Sequence, residues 1–360
     1  MKAYFFPILV LLLPAGASGQ GPVDSSFTDG PYIFFQQDRA VAKWISDGAL
    51  FTDTLTPGED LQLEAGVSSS FDPSCVDLEE EFVPDPRVSF KGVRKLAAIS
   101  DIHGQYDLMV RLLMANGVID NRNNWAFGDG HLVVLGDVFD RGDEVVDILW
   151  LIHKLEKQAG DTNGKVHYLL GNHEVMNLQN DLRYVNKKYR ITTALTRTPY
   201  PSLFGPDTYL GRWLRTKPVS VTINDMVFVH AGFSETCLNL GLSLEQINAA
   251  FREKIIDQTE QAIVADPVLF TLYGEMGPIW YRGYFEEGFT KKRAHDMVKR
   301  FGKKHIVIGH TPGPAVRALY RMRILAIDST IQSGEEGEIL FYEEGKFFRG
   351  TQSGEKIKLQ

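Results

Sequence analysis

Five apolar runs in this 360-residue chain end on residue types able to bind metals or phosphate. "LAAISDIHGQ" delivers Asp101 and His103, "VVLGDVFDRG" delivers Asp137, Asp140 and Arg141, and "HYLLGNHE" delivers Asn172 and His173. Further on, "MVFVHAGFS" presents His230 and "HIVIGHTPG" presents His310. Singly, each has an ordinary structural use: Asp101 can cap a turn, Asp140 or Asp143 can cap the next helix, Asn172 can hold a left-handed turn, and His230 can be a satisfied core histidine. Together they are carboxylates, imidazoles and one amide, the donor set for hydrolysis at two metal ions. Oxygen and nitrogen donors without thiolate suit Mn, Fe, Zn or Co rather than a structural zinc site. Two cations a few Å apart need a shared anion to offset their repulsion, and can then clamp a phosphoryl oxygen while sharing a hydroxide of lowered pKa. Asp137, on the middle strand by sequence order, is the candidate bridge.

The elements that must position these groups follow from the apolar pattern. "VRKLAAIS", "HLVVLGD" and "KVHYLLGN" read as strands, and "QYDLMVRLLMANGVI" and "EVVDILWLIHKLEK" as helices between them. This order predicts an α/β protein with a buried sheet covered by helices, whose ligands sit beyond the carboxyl ends of the strands. Residues 20–90 read as an N-terminal extension: "DGPYIFFQQDRAVAKWISDGALF" as a strand and a short helix, "GVSSSFDPSCVDLEEEFVPDP" as a surface loop. The main domain is expected over 91–345, with an inserted helical cap at about 178–222, and residues 346–360 as a tail. Basic and aromatic residues alternate in the cap, which suits either recognition of a phosphorylated side chain or a solvated insertion.

Composition narrows the function classes. Hydrophobic content of 44% allows a large core, and a net charge of −8 argues against a nucleic-acid partner. Residues 1–19, "MKAYFFPILVLLLPAGASG", read as a cleaved secretory signal, which predicts an exported, periplasmic or secreted protein with no membrane anchor after cleavage. The two cysteines, Cys75 and Cys237, exclude a cysteine-rich zinc module; export would permit one bridge between them.

The motifs D-x-H at 101–103, G-D-x-x-D-R-G at 136–142 and G-N-H-E at 171–174 resemble those of the calcineurin-like metallophosphoesterases, specifically the phosphoprotein phosphatase family. Within it, "DGPYIFF" and "LFGPDTYLGRWLRTKPVSVTINDMVFVHAGFS" are similar to the Shewanella-like protein phosphatases, over roughly residues 29–345. The resemblance implies a central β-sandwich flanked by helices, with a dimetal site at the C-terminal ends of the strands. It implies that Asp101, His103 and Asp137 hold one ion, and Asp137, Asn172, His230 and His310 the other. His173 is then the general acid, fixed by Asp140, while Arg141, Arg282 and Asn172 bind phosphate. "GHTPG" lacks the second histidine of many phosphodiesterases, which favours monoesters, and no counterpart of the eukaryotic C-terminal tyrosine segment is present. The expected function is an exported phosphomonoesterase acting on phosphoserine, phosphothreonine or phosphotyrosine in proteins or peptides. A hydrolase of small phosphates, such as dinucleoside polyphosphates or sugar phosphates, is the alternative. A non-catalytic binding protein is the weakest reading, having no use for a general acid.

Overall fold

A computed structural model describes residues 26–59, 61, 63, 67–68 and 70–360; the signal expected over 1–19 lies outside them. The chain forms two compact units, one comprising the residues up to Glu81 with Lys187–Arg212, the other Phe82–Asn186 with Trp213–Gln360.

In the smaller unit, β1 (Asp29–Gln36), β2 (Arg39–Ser46) and β3 (Ala49–Leu55) form an antiparallel sheet in sequence order. The short helix expected in this stretch is therefore absent among the described residues. Ala40, Ala42 and Trp44 are buried at every second position, the strand period. Asp47 and Gly48 take left-handed φ of 48° and 74° between the paired Ser46 and Ala49, the two-residue Asp-Gly hairpin turn. Helices Lys188–Thr196 and Tyr200–Leu203 complete this unit.

The larger unit holds two six-stranded sheets. In one, β5 (Lys95–Ile99), β6 (His131–Val134) and β7 (Lys165–Tyr168) run parallel, linked by α1 (Tyr106–Ala115) and α2 (Val145–Gly160), the order the apolar pattern predicts. β13 (Ile339–Glu343) lies antiparallel to β5, and β14 (Lys346–Gly350) and β15 (Lys356–Lys358) extend the sheet, so residues 346–360, read above as a tail, carry two of its strands. In the other, β9 (Met226–Val229), β10 (His305–Ile308) and β12 (Ile324–Ala326) are parallel, flanked by β8 (Ser220–Ile223), β4 (Ser89–Phe90) and β11 (Arg317–Leu319).

Leu96, Ala98 and Val133 pack against Val221, Phe228, Val307 and Leu325 in a core between the sheets. The opposite face of the second sheet, Val227, Val229, Ile306 and Ile308, packs on Ile247 and Phe251 and on Met297 and Val298 of two helices. Strands buried on both faces have no room for a polar side chain, so polar groups appear only where the chain leaves the sheet. That rule sets the address of the site.

Cys75 and Cys237 are not joined by a disulfide, so the bridge that export would permit is not made. Cys237 packs instead in the apolar core, where burial pushes its thiol up to about 12. Among the described residues no helix is long and apolar enough to cross a membrane.

Candidate functional site

Every expected strand-end residue lies just past the end of its strand. Asp101 and His103 follow β5, Asp137, Asp140 and Arg141 follow β6, and Asn172 and His173 open α3 (Asn172–Leu178) after β7. His230 and His310 follow β9 and β10. Asp101, His103, Asp137, Asp140, Arg141 and His310 all have φ between 47° and 70°. That left-handed backbone is costly away from glycine and persists where the surroundings over-determine it, as at active sites. Two glycines let the loops close on one another: a Cβ on Gly142 would lie 2.3 Å from the His103 carbonyl oxygen, and one on Gly171 would lie 2.3 Å from Asp137 Oδ1.

The donor atoms converge on Asp137. His103 Nε2 is 3.6 Å and His230 Nε2 3.3 Å from Asp137 Oδ2. His230 Nε2 is also 3.0 Å from Asn172 Oδ1 and 3.2 Å from His310 Nδ1. Backbone carbonyls fix the ring orientations: His103 Nδ1 donates to Phe139 O at 2.7 Å and His230 Nδ1 to Leu135 O at 2.6 Å. Each ring therefore presents an Nε2 lone pair to the cluster, as metal-ligating histidines do when a backbone carbonyl holds the other ring nitrogen. Two triads have ligand atoms within 4.8 Å of one another, His103, Asp137 and His173, and Asp137, His230 and His310. Asp101 lines the same cleft outside these triads, its Oδ2 taken by Ser100 Oγ at 2.5 Å and by the His310 amide at 2.9 Å.

His173 differs from the other imidazoles in its partner. Its Nδ1 is 2.6 Å from Asp140 Oδ2, and Asn177 donates to Asp140 Oδ1 at 3.0 Å. Burial works to lower the His173 pKa, but the carboxylates of Asp137 and Asp140 overcome it and hold it above the ordinary value. Nδ1 thus keeps its proton for Asp140 and leaves Nε2 to face the cleft. Arg141, Arg282, Tyr184, Trp280, Asp328 and Gln332 line the same cavity of about 160 Å³. Arg141 is hydrogen-bonded to Gln332 through Nη1, and Arg282 Nη1 donates to Thr311 Oγ1 at 3.2 Å. The Tyr184 ring lies 5.3 Å from that of His173.

The residues fit cations. Burial raises the pKa of Asp101 against the pull of His230, with Asp137 adding to the rise. Burial, then the carboxylates of Asp101 and Asp137, push Asp328 up to about 8. Three carboxyl groups facing one cleft repel one another unless positive charge lies between them. His310 Nε2 is also buried without a hydrogen-bond partner among the described residues.

The model of the calcineurin-like phosphoesterase family matches residues 94–314, from the start of β5 to just past His310. The chain belongs to that family. A calcineurin-like phosphoesterase with a dimetal site is a hydrolase, and the relatives of this one include protein phosphatases. Cold-active protein-tyrosine phosphatase of a psychrophilic Shewanella species is 39% identical with a TM-score of 0.84, covering 93% of this chain and 100% of that one. An uncharacterised protein of Schizosaccharomyces pombe is 30% identical over 76% of this chain and 83% of its own length. Shewanella-like protein phosphatase 2 of Arabidopsis thaliana is 35% identical over 42% of this chain and 35% of its own.

Two residues of this phosphoesterase escaped the sequence reading. Glu174 is fully buried and accepts the amides of Asp137 at 2.8 Å, Val138 at 2.7 Å and Gly171 at 2.7 Å, with the Tyr168 hydroxyl at 3.1 Å. It ties the loop after β6 to the first turn of α3. Asp328 follows β12, and "ILAIDST" carries the same signal as the other strand ends, an apolar run closed by a carboxylate.

Proposed function

We propose that this phosphoesterase is a protein phosphatase that removes the phosphoryl group from phosphorylated side chains, phosphotyrosine foremost. The observation that carries the reading is His173, backed by Asp140 at 2.6 Å and set beside Asp137, the residue both ligand triads share, with two arginines in the same cleft. Asp101, His103 and Asp137 would hold one ion and Asp137, Asn172, His230 and His310 the other, which when bound polarise the phosphoryl oxygens and lower the pKa of the attacking water. Arg141 and Arg282 bind the outward phosphate oxygens through the planar N–H forks of their guanidinium groups. His173 gives the proton on Nε2 to the leaving oxygen, while Asp140 fixes its tautomer and orientation.

Preference for phosphotyrosine is supported by the likeness to a protein-tyrosine phosphatase along the whole of that chain. It is also supported by Tyr184, half exposed beside His173, whose ring can stack on a departing phenol. Turnover of phosphotyrosine peptide, phosphoserine peptide and dinucleoside tetraphosphate tests the reading. The highest kcat/KM is expected on phosphotyrosine; a preference for the tetraphosphate would move the enzyme to small phosphates. Export with cleavage of the leader belongs to the same proposal. Protein recovered from the periplasm or medium should begin between Ser18 and Gly21 by intact mass, and retention of Met1 would overturn it.

A further inference from the structure

Asp328 is 1% exposed and lines the catalytic cleft, yet it belongs to neither ligand triad. Its position is built into the sheet. β10 and β12 are parallel with Ile308 paired to Ala326, and two residues beyond that pair stand His310 and Asp328. The Ile327 amide donates to Ile308 O at 2.7 Å, and the Gly313 amide donates to Asp328 O at 3.0 Å, so the backbone is held on both sides. One carboxylate oxygen is used: Oδ1 accepts the Thr330 amide at 3.1 Å. Thr330 itself has φ of 68°, a left-handed conformation unusual for a β-branched residue, and it aids in presenting that amide. The other oxygen, Oδ2, is buried with no hydrogen-bond partner among the described residues.

A buried carboxylate oxygen without a donor is costly, and such groups in folded proteins are paired or coordinate a cation. Among the described residues no arginine or lysine is hydrogen-bonded to Asp328; His103, His173 and His230 lie against their own carboxylate, Asp137, and His310 Nε2 makes no hydrogen bond to Asp328. What the cleft offers in place of a protein donor is the metal centre.

We propose that Asp328 is a further metal-retaining residue of this enzyme, its free Oδ2 holding the cation on the Asp101 side of the centre. It acts there as an added negative charge beside Asp101. The proposal rests on the dimetal reading of the site. Asp328 is accordingly a positioning residue, and its loss acts on metal affinity before it acts on chemistry. Outer-shell partners of metal ligands typically change metal affinity by about 10–100-fold when removed.

The test uses Asp328→Asn, which keeps the Oδ1 acceptor for Thr330 and removes the charge. Metal content by mass spectrometry and affinity by competition with a chelating dye are measured on purified full chain, loaded with Mn or Zn alone. Wild type should bind two ions, and the variant should bind one of them about tenfold or more weakly. Melting temperature gives a second readout. Metal-free Asp328→Asn should melt above metal-free wild type, because a buried acid with an unsatisfied oxygen is replaced by a neutral amide, and should gain less on metal addition. If Asp328→Asn does not fold, Asp328→Ser supplies a neutral acceptor of smaller size for the same measurements. Equal affinities at both sites together with an equal metal-induced shift in melting temperature would overturn the proposal, and would mean that water alone satisfies Oδ2. Failure of wild type to bind two ions would instead overturn the dimetal reading.

Discussion

The Glu174 carboxylate accepts the Asp137 backbone amide at 2.8 Å and the Gly171 amide at 2.7 Å, joining the residue shared by both ligand triads to the turn that carries Asn172 and His173. Two loops from neighbouring strands are thereby held in one register by a side chain from the helix that one of them opens. The spacing of the ligands is a property of this brace as much as of the strands.

Glu174→Gln should therefore fail in a specific way. The amide would present a donor to backbone donors and strand at least one of them, at a cost of about 1–3 kcal/mol for each buried group left unpaired. A lower melting temperature and reduced metal content are expected together. Wild-type melting with full metal content would show that the brace is dispensable.

His173→Asn should separate acid from ligand. With His173 acting on the leaving oxygen, the variant keeps both ions and loses about 10²–10⁴ in turnover on esters with poor leaving groups, and much less on an activated aryl phosphate. A variant that loses an ion would place His173 with His103 and Asp137 as a ligand, and a uniform loss across leaving groups would remove the acid role.

Arg141→Lys keeps a positive charge but removes the planar fork. Inhibition by inorganic phosphate and turnover should each weaken by about tenfold or more while metal content holds. Unchanged phosphate inhibition in both Arg141→Lys and Arg282→Ala would mean that the metals and Asn172 hold the phosphate without an arginine clamp.

His131 opens β6, and its Nδ1 lies 2.9 Å from Nε2 of His167 in β7, with the Phe90 ring packed edge-on against both imidazoles. Burial, then Lys165, lowers His131 to about 4, and burial, then His131, holds His167 well below the ordinary value. Unfolded histidines take up protons near pH 6.5, before these folded ones do. Stability from this pair is thus complete above about pH 6.5 and falls as pH drops toward about 4. Denaturant midpoints at pH 7.5 and pH 5 should differ less for His131→Gln than for wild type; equal differences would exclude the pair as the acid-sensitive element.

The parallel core and the five strand ends were legible because strands buried on both faces admit polar residues only at their exits, so Asp101, Asp137 and His230 stand out against apolar runs. Asp328 obeys the same rule but ends a three-residue strand, too short to mark itself by pattern. Glu174 was visible as an acid yet silent as a brace, because most of its partners are backbone amides whose convergence is decided by tertiary contact. The stretch Ala40–Trp44 mixes alanine and lysine, good helix formers, with a strand period that the Asp47-Gly48 turn should have settled. Cys75 and Cys237 illustrate a different limit, since count and compartment say whether a bridge is permitted and only position says whether it forms.

Six side chains in or directly behind the cleft, from Asp101 to His310, ride on left-handed backbone. Glycine would occupy those positions at less cost, by about 1–3 kcal/mol each where the strained conformation is stored. At Arg141, exposed and with little packing to lose, Arg141→Gly should make the folded state harder to melt while removing a phosphate donor. Thermal endurance and catalysis thus pull in opposite directions at the same residues. A population of variants screened for heat survival alone would drift toward glycine in these loops, and the sturdiest survivors would be dead enzymes.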